Sequence, residues 1–303
     1  MKLSIIVPSI DGSIPKGLPF GDGRVEIIVV RGVCPVGKAR NEGLRQASGD
    51  YIAWVDADDE VEDNWLDEIW AKIEADTPDV ITMDVAFVGW KNREDGVWGV
   101  PRGKVTIGRL RRDVYRDISR TSSLWLYVTK RSLWKGLSFD ENICVAEDYL
   151  LLPKVLARAN SCAYVDKKIY RYNFNPQSLM NARRFGQDAE AIESWARRLK
   201  ETERKYRGEC LWGMCVSCYW LCDEKALDCS GADIPGAGEC AAKCRRAIRM
   251  NLFALLREAV IGCDLSFRER IAWSFRFICA ATGWWAVQRW RRRARMRNEK
   301  LSD

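Results

Sequence analysis

The 303-residue chain contains no histidine. That absence excludes Ser-His-Asp and Cys-His nucleophilic sites, histidine-ligated zinc or haem, and every imidazole acid or base. Proton transfer is left to carboxylates, Lys, Tyr or Cys. Long apolar runs are also missing: the uncharged run Ile278 to Val287 has ten residues, where a membrane-crossing helix needs about 20. The opening MKLSIIVPS leads directly into a strand pattern, so no signal peptide is expected. The twelve cysteines then read as reduced thiols of a cytoplasmic protein rather than a secreted disulfide framework.

What is present is ordinary globular usage, 47% hydrophobic and 30% charged, which fits one large domain or two unequal ones. The net charge of +7 is unevenly placed. Residues 287–303 hold seven Lys or Arg against Glu299 and Asp303, a net +5. A surplus confined to one end suggests a local contact with anionic lipid or nucleic acid, whereas a basic face spread over the fold would favour nucleic acid alone.

Leu3 to Val7, Val25 to Val30 and Tyr51 to Val55 are short apolar runs rich in β-branched residues, the mark of buried parallel strands. Between the second and third, positions 36, 39, 43, 44 and 47 follow helical spacing before Ser48-Gly49-Asp50. Another helix after Asn64 carries Trp65, Leu66, Ile69, Trp70 and Ile73, and Pro78 precedes a strand over Asp79 to Met83. The alternation predicts an α/β layered sheet, mostly parallel and flanked by helices. Residues 84–123 show no sustained period and predict short strands and a mobile loop. Leu124 to Val128 reads as regular structure, Tyr149 to Ala157 as helix and Ala163 to Val165 as strand. Beyond about residue 181 the pattern turns to long helices, so the expected division is 1–180 and a mainly helical 181–303.

Asp56, Asp58, Asp59 and Glu60 follow the third strand directly, at the carboxyl edge where open α/β sheets bind ligands. Alternate residues of extended backbone point the same way, so Asp56 and Asp58 could share a ligand, and oxygen ligands suit hard Mg²⁺ or Mn²⁺. The plainer alternative is that these acids open the next helix, with Asp59 or Asp63 as its N-cap. Glu147-Asp148, ahead of another helix, admits the same two readings, one chemical and one through the helix dipole.

SIIVPS, GKARNEG ahead of SGDYIAWVDADDEVE, WLYVTKRSLW, FDENICVAEDYLLLPKVL and IYRYNFNPQSLM resemble, in that order, segments of glycosyltransferase family 2. The resemblance covers residues 1 to about 180. It implies a GT-A fold, Rossmann-like, with a C-terminal helical extension, and inverting transfer from a nucleotide-diphosphate sugar, with a UDP-sugar as the expected donor, to a hydroxyl of a glycan or lipid-linked acceptor in surface polysaccharide synthesis. It further implies that Pro8 and Ser9 line the nucleotide-base pocket and that Arg40 and Asn41 position the donor. Asp56 and Asp58 would form a DXD pair, Asp58 on Mn²⁺ or Mg²⁺ and Asp56 on the ribose side, with Asp59 able to share the metal role. Asp148 matches the general base, and Arg171 and Ser178 lie in the closing segment that would bind diphosphate oxygens.

The sequence departs from the family at Arg31, where a carboxylate that contacts the base is usual, and in the short Gly- and Pro-rich segment Asp11 to Gly23. Asp11 is the nearest acid that could stand in. The departure motivates a second reading, a catalytically inactive GT-A-like protein that binds nucleotide sugars or acts as a scaffold. Cys215-Val216-Ser217-Cys218, with Cys210, Cys222, Cys229, Cys240 and Cys244 nearby, admits a metal centre. Cys215, Cys218 and Cys222 also fall on one helical stripe, where cysteine packs as a small hydrophobe. Phe267, Ile271, Phe275, Ile278 and Trp285 form a helical apolar face that core packing, a homodimer contact or a membrane interface would cover. Residues 284–297, rich in Trp and Arg, favour an anionic membrane surface and a peripheral location on the inner face of the cell membrane.

Overall fold

The computed structural model describes residues 1–89, 105–116, 121–144, 146–176, 178, 192, 195–225, 237–262 and 266–282. The chain forms two compact units, Met1–Ser194 and Trp195–Asp303. Residues 90–104 and 117–120 of the region 84–123, expected to hold short strands and a loop, the expected boundary near residue 181 and the basic tail 284–297 lie outside the described residues.

The first unit is built on a seven-stranded sheet in the order β2-β1-β3-β6-β5-β7-β4. Strand β1 (Leu3–Ser9) is buried on both faces, the requirement of a strand covered by helices, and pairs in parallel with β2 (Val25–Arg31) and β3 (Tyr51–Trp54). Helix α1 (Val36–Gln46) crosses between β2 and β3. It comes so close to β1 that a Cβ on Gly43 would lie 2.3 Å from Ile6 Cγ2, so glycine fixes the helix–sheet distance there.

After β4 (Glu60–Val61), helix α2 (Trp65–Asp76) buries Trp65, Leu66, Ile69 and Ile73 at helical spacing, each worth about 1.5–3 kcal/mol of apolar transfer. Its N-cap position is Asn64, so neither Asp59 nor Asp63 takes the capping role. The helix ends at Thr77, whose φ of 43° is left-handed. Strand β5 (Val80–Val88) runs well past the expected Met83. Helix α3 (Ile107–Arg116) packs on α4 (Glu147–Arg158). Arg111 fastens the two together by donating to the carbonyls of Leu156, Ala157 and Ala159.

Within the regular stretch expected over Leu124 to Val128, Leu124–Leu126 is a 3₁₀ turn and the strand begins only at β6 (Tyr127–Lys130). The turn lets the Trp125 ring lie on Tyr170 at 4.8 Å and on Tyr172 at 5.2 Å. Strand β6 is antiparallel to both neighbours, β3 and β5. Strand β7 (Cys162–Asn173) is parallel to β5 and carries β4 antiparallel on its other edge.

The second unit is helical: α5 (Arg207–Lys225), α6 (Ala237–Met250), α7 (Leu252–Arg257), a π turn at Glu258–Gly262 and α8 (Phe267–Thr282). Trp212 meets Trp273 and Phe277 edge-on at 5.5 and 5.4 Å. Cys210, Cys215, Cys218, Cys240 and Cys244 are buried in this unit, and burial pushes the Cys215 thiol well up. Among the described residues no three potential ligands converge on a metal, here or elsewhere, and no helix is long and apolar enough to cross a membrane.

Candidate active site

Parallel strands that end together place their following loops together, so the carboxyl ends of β1, β2 and β3 define one rim. Pro8 and Ser9 end β1 opposite Val30 and Arg31 of β2. Val55 donates to the Ile6 carbonyl at 3.1 Å, which holds the Asp56–Asp59 loop against β1.

Five acids, Asp56, Asp58, Asp59, Glu147 and Asp148, occupy this rim with Arg40 in different ways. Arg40, on α1 beneath the loop, is only 7% exposed. Its Nη1 pairs with Glu147 Oε1, and its Nη2 lies 3.6 Å from Asp56 Oδ1. One guanidinium thus gathers two acidic groups that are far apart in sequence. Burial alone would lower the Arg40 pKa, but Glu147, Asp56 and Asp148 outweigh it and raise it. The sequence suggested Arg40 as a donor contact; the structure makes it the buried counter-ion of the rim.

Asp56 is half-buried, and its pKa is raised by burial and by Asp58 and Glu147, against the pull of Arg40. Its backbone N–H donates to Tyr170 Oη at 3.2 Å. Asp59 is 2% exposed, and both its oxygens are occupied: Oδ2 accepts from Tyr170 Oη at 2.6 Å and Oδ1 from the Asn173 N–H at 2.9 Å. Burial and the nearby Asp56 charge push its pKa up to about 9. The metal role expected for Asp59 therefore does not fit, because its oxygens tie the loop to β7.

Asp58 is the exposed member. Asn173 Nδ2 donates to its carbonyl at 3.0 Å and Asn175 Nδ2 to its Oδ2 at 2.8 Å, so the end of β7 orients the carboxylate while solvent still reaches it. A small hard cation usually binds one or two carboxylates together with substrate phosphates rather than a closed protein cage. An exposed, oriented Asp58 fits that open mode, with Asp56 beside it.

Asp148 enters from α4. The preceding Ala146 adopts a left-handed φ of 69° at the N-cap, a costly conformation for a residue with a Cβ, and Glu147 and Asp148 form the first turn. Glu147 is buried on Arg40, whereas Asp148 is half-buried and its Oδ1 accepts from the Tyr149 N–H at 2.9 Å. Burial and the neighbouring Glu147 push the Asp148 pKa up to about 8. A carboxyl with that value is a stronger base than a free one.

The remaining candidates are distributed less closely. Ser9, buried, donates to Asp11 Oδ1 at 3.2 Å, and Pro8 is half-buried beside it. The exposed Arg31 runs its side chain past Gly12, where a Cβ would lie 3.4 Å from Arg31 Cδ, so cation and Asp11 share this part of the rim. Asn41 does not offer its amide to the rim: it donates to the Phe139 carbonyl at 3.0 Å and to Glu141, and accepts from the Phe139 N–H at 2.8 Å. Arg171, expected on diphosphate oxygens, is paired with Glu60 and Glu62 at 3.3 and 3.1 Å on the β4 edge. Ser178 donates its N–H to the Asn175 carbonyl at 3.1 Å.

Tyr170, Asn173 and Asn175 are the residues that sequence reasoning missed as supports of the acidic loop. The only available signal was their place in the segment IYRYNFNPQSLM.

Residues 16–123 match Glycosyl transferase family 2. Curated relatives of this family-2-like chain include the cholesterol galactosyltransferase of Borreliella burgdorferi, 23% identical over 154 residues, which are 48% of this chain and 43% of that protein. Another is the poly(ribitol-phosphate) beta-N-acetylglucosaminyltransferase TarS of Staphylococcus aureus, 27% identical over 136 residues, 45% of this chain and 23% of that protein. The chain spans about half or less of the length of these relatives. The crystal structure of S. aureus TarS 1–349 superposes with a TM-score of 0.63 at 18% identity, covering 95% of this chain and 92% of that one. The fold is therefore that of the GT-A transferases, as expected from the sequence, although the curled sheet is more mixed than the mostly parallel one expected, with three parallel and three antiparallel pairings.

Proposed function

We propose that the chain is a glycosyltransferase that moves a sugar from a nucleotide-diphosphate donor to an acceptor hydroxyl. The observation that carries this reading is the Arg40 bridge, which joins the Asp56–Asp58 loop to Glu147-Asp148 at the carboxyl rim. Departure of a diphosphate develops negative charge, and an acceptor hydroxyl must lose a proton as it attacks. The rim holds one exposed carboxylate suited to the first need through a cation and one high-pKa carboxylate suited to the second.

In this reading Pro8 and Ser9 border the nucleotide, and Asp56 faces its ribose. Asp58 would hold Mn²⁺ or Mg²⁺ with the diphosphate; such a cation, when bound, supplies positive charge to the leaving group. Asp148 accepts the proton from the acceptor oxygen as that oxygen attacks the anomeric carbon opposite the diphosphate, so the configuration inverts. Arg40 keeps the acids assembled without touching the donor. A UDP-sugar is favoured because the TarS structures of the same fold include complexes with UDP and UDP-GlcNAc. A glycan or lipid acceptor is favoured by the printed activities of TarS and the cholesterol galactosyltransferase, and the reading includes surface polysaccharide synthesis and a peripheral contact with an anionic leaflet through residues 284–297.

The second reading, nucleotide-sugar binding without turnover, is favoured by Arg31 beside Asp11 on the nucleotide side of the rim. One experiment separates the two. UDP-sugars are screened by thermal shift and then assayed for release of UDP with wild type and Asp148→Asn. Transfer requires turnover in wild type and a loss of about 10²–10⁴-fold in the variant with donor binding retained. Donor binding with no turnover in either protein supports the binding-only reading, and equal turnover removes Asp148 as the base.

A further inference from the structure

Helix α8 has two apolar faces. One carries Trp273 and Phe277, which pack on Trp212 inside the second unit. The other carries Phe267, Ile271, Phe275 and Ile278, at i, i+4, i+8 and i+11, and these are 77%, 56%, 51% and 41% exposed. A surface helix ordinarily presents charge on the side away from its core. Here that side is a stripe of two phenylalanines and two isoleucines three turns long. Helix α7, packed against α8, adds Phe253 at 91% exposure, and Met250 at the end of α6 is 74% exposed. Large apolar side chains exposed in this number on neighbouring helices mark an interaction site.

The charges on the helices around the stripe are predominantly positive. Helix α8 carries Arg268, Arg270 and Arg276 against Glu269, and the Glu269 carboxylate accepts from Ser266 N–H and Oγ at 2.8 and 2.6 Å. Arg270 anchors the start of α8 by donating to the Val260 carbonyl, and Arg276 lies over the Trp273 ring at 4.8 Å. Helix α6 contributes Arg245, Arg246 and Arg249. Two copies meeting stripe to stripe would bring these cationic rims together, whereas an anionic lipid surface complements them.

We propose that the Phe267–Ile271–Phe275–Ile278 stripe, with Phe253, is a docking surface for an anionic lipid bilayer, the apolar side chains entering the boundary between headgroups and acyl chains while the surrounding arginines meet lipid phosphates. This moves the principal membrane contact from the terminal basic segment to α7 and α8. It is independent of the transferase reading, because it is measured without donor or acceptor.

The test is co-sedimentation of the full chain with vesicles of equal phosphatidylglycerol and phosphatidylcholine, against phosphatidylcholine alone. Wild type should bind the anionic vesicles at least tenfold more tightly than the neutral ones. Ile271→Glu with Phe275→Glu should lose at least tenfold in binding while keeping the wild-type melting temperature, since both side chains are exposed; Phe253→Glu provides a second variant on another helix. Replacing Arg289, Arg291, Arg292 and Arg293 with Gln in the full chain should cost less than the stripe variant. The proposal is overturned if wild type ignores the anionic vesicles, if the stripe variants bind like wild type, or if the tail variant alone abolishes binding. It is equally overturned if light scattering finds a wild-type dimer that the stripe variant converts to monomer, which would make the face a contact between copies.

Discussion

The two rims of the sheet hold carboxylates, most of them half-buried, in opposite states. At the amino rim, Glu26 of β2 accepts from Ser4 Oγ, Ser48 N–H and Oγ, and the Gly49 N–H, and although burial opposes them these donors hold its pKa down at about 2. Asp79, ahead of β5, is likewise lowered against the effect of burial by the Asn160 N–H and by Lys130 at 2.9 Å. At the carboxyl rim, burial and mutual repulsion raise Asp56, Asp59 and Asp148 together. The same residue type is an anchor where donors surround it and a poised acid or base where acids surround it. Raised, coupled carboxylates at a ligand-binding edge are the pattern of a functional site.

The sharpest way to break this contrast is to remove the cation that makes the carboxyl rim tolerable. Arg40→Met leaves Glu147 and Asp56 buried without compensation and is expected to cost about 3–5 kcal/mol, read as a lowered denaturant midpoint; an unchanged midpoint would mean that the acids there are protonated and need no partner. At the amino rim, Glu26→Ala strands the donors of Ser48 and Gly49 and should cost about 1–3 kcal/mol. Because the folded pKa of Glu26 is depressed, its contribution is present above its unfolded value of about 4.3 and is lost as the pH falls toward 2, so wild type and Glu26→Ala should converge in stability on acidification.

For the carboxyl rim the sign reverses. Asp148 is raised to about 8, so kcat/KM should climb with pH up to that value, falling about tenfold for each unit below it. A profile flat between pH 6 and 9 would contradict the proposed base. The smallest effect is expected at Arg31, whose exposed side chain lies past Gly12. Arg31→Ala should change stability by less than about 0.5 kcal/mol, while a thermal-shift titration reports whether UDP binding weakens or improves.

Much of the first unit was legible because its core obeys local rules. The β-branched runs of β1 to β3 and the helical spacing of α1 and α2 announce themselves within a dozen residues, and the acidic loop follows from where β3 stops. Strand β7 was read as three residues because Asp166, Lys167 and Lys168 interrupt its apolar pattern, yet pairing with β5 and β4 carries the strand through them. Leu124–Leu126 turned into a 3₁₀ turn because the stacking partners of Trp125 lie on β7, invisible to any local window. The same reason hid the division of labour among the aspartates. Nothing in the string Asp56-Ala57-Asp58-Asp59 says that Tyr170 and Asn173 will claim Asp59 and leave Asp58 to solvent.

Asn41 binds the Phe139 backbone through both ends of its amide and reaches Glu141 as well. Helix α1 and the segment leading into α4 therefore behave as one exchangeable cassette. An engineer who transplants residues 137–144 from a related protein must bring that protein's counterpart of Asn41 too, or the grafted segment will arrive without its latch.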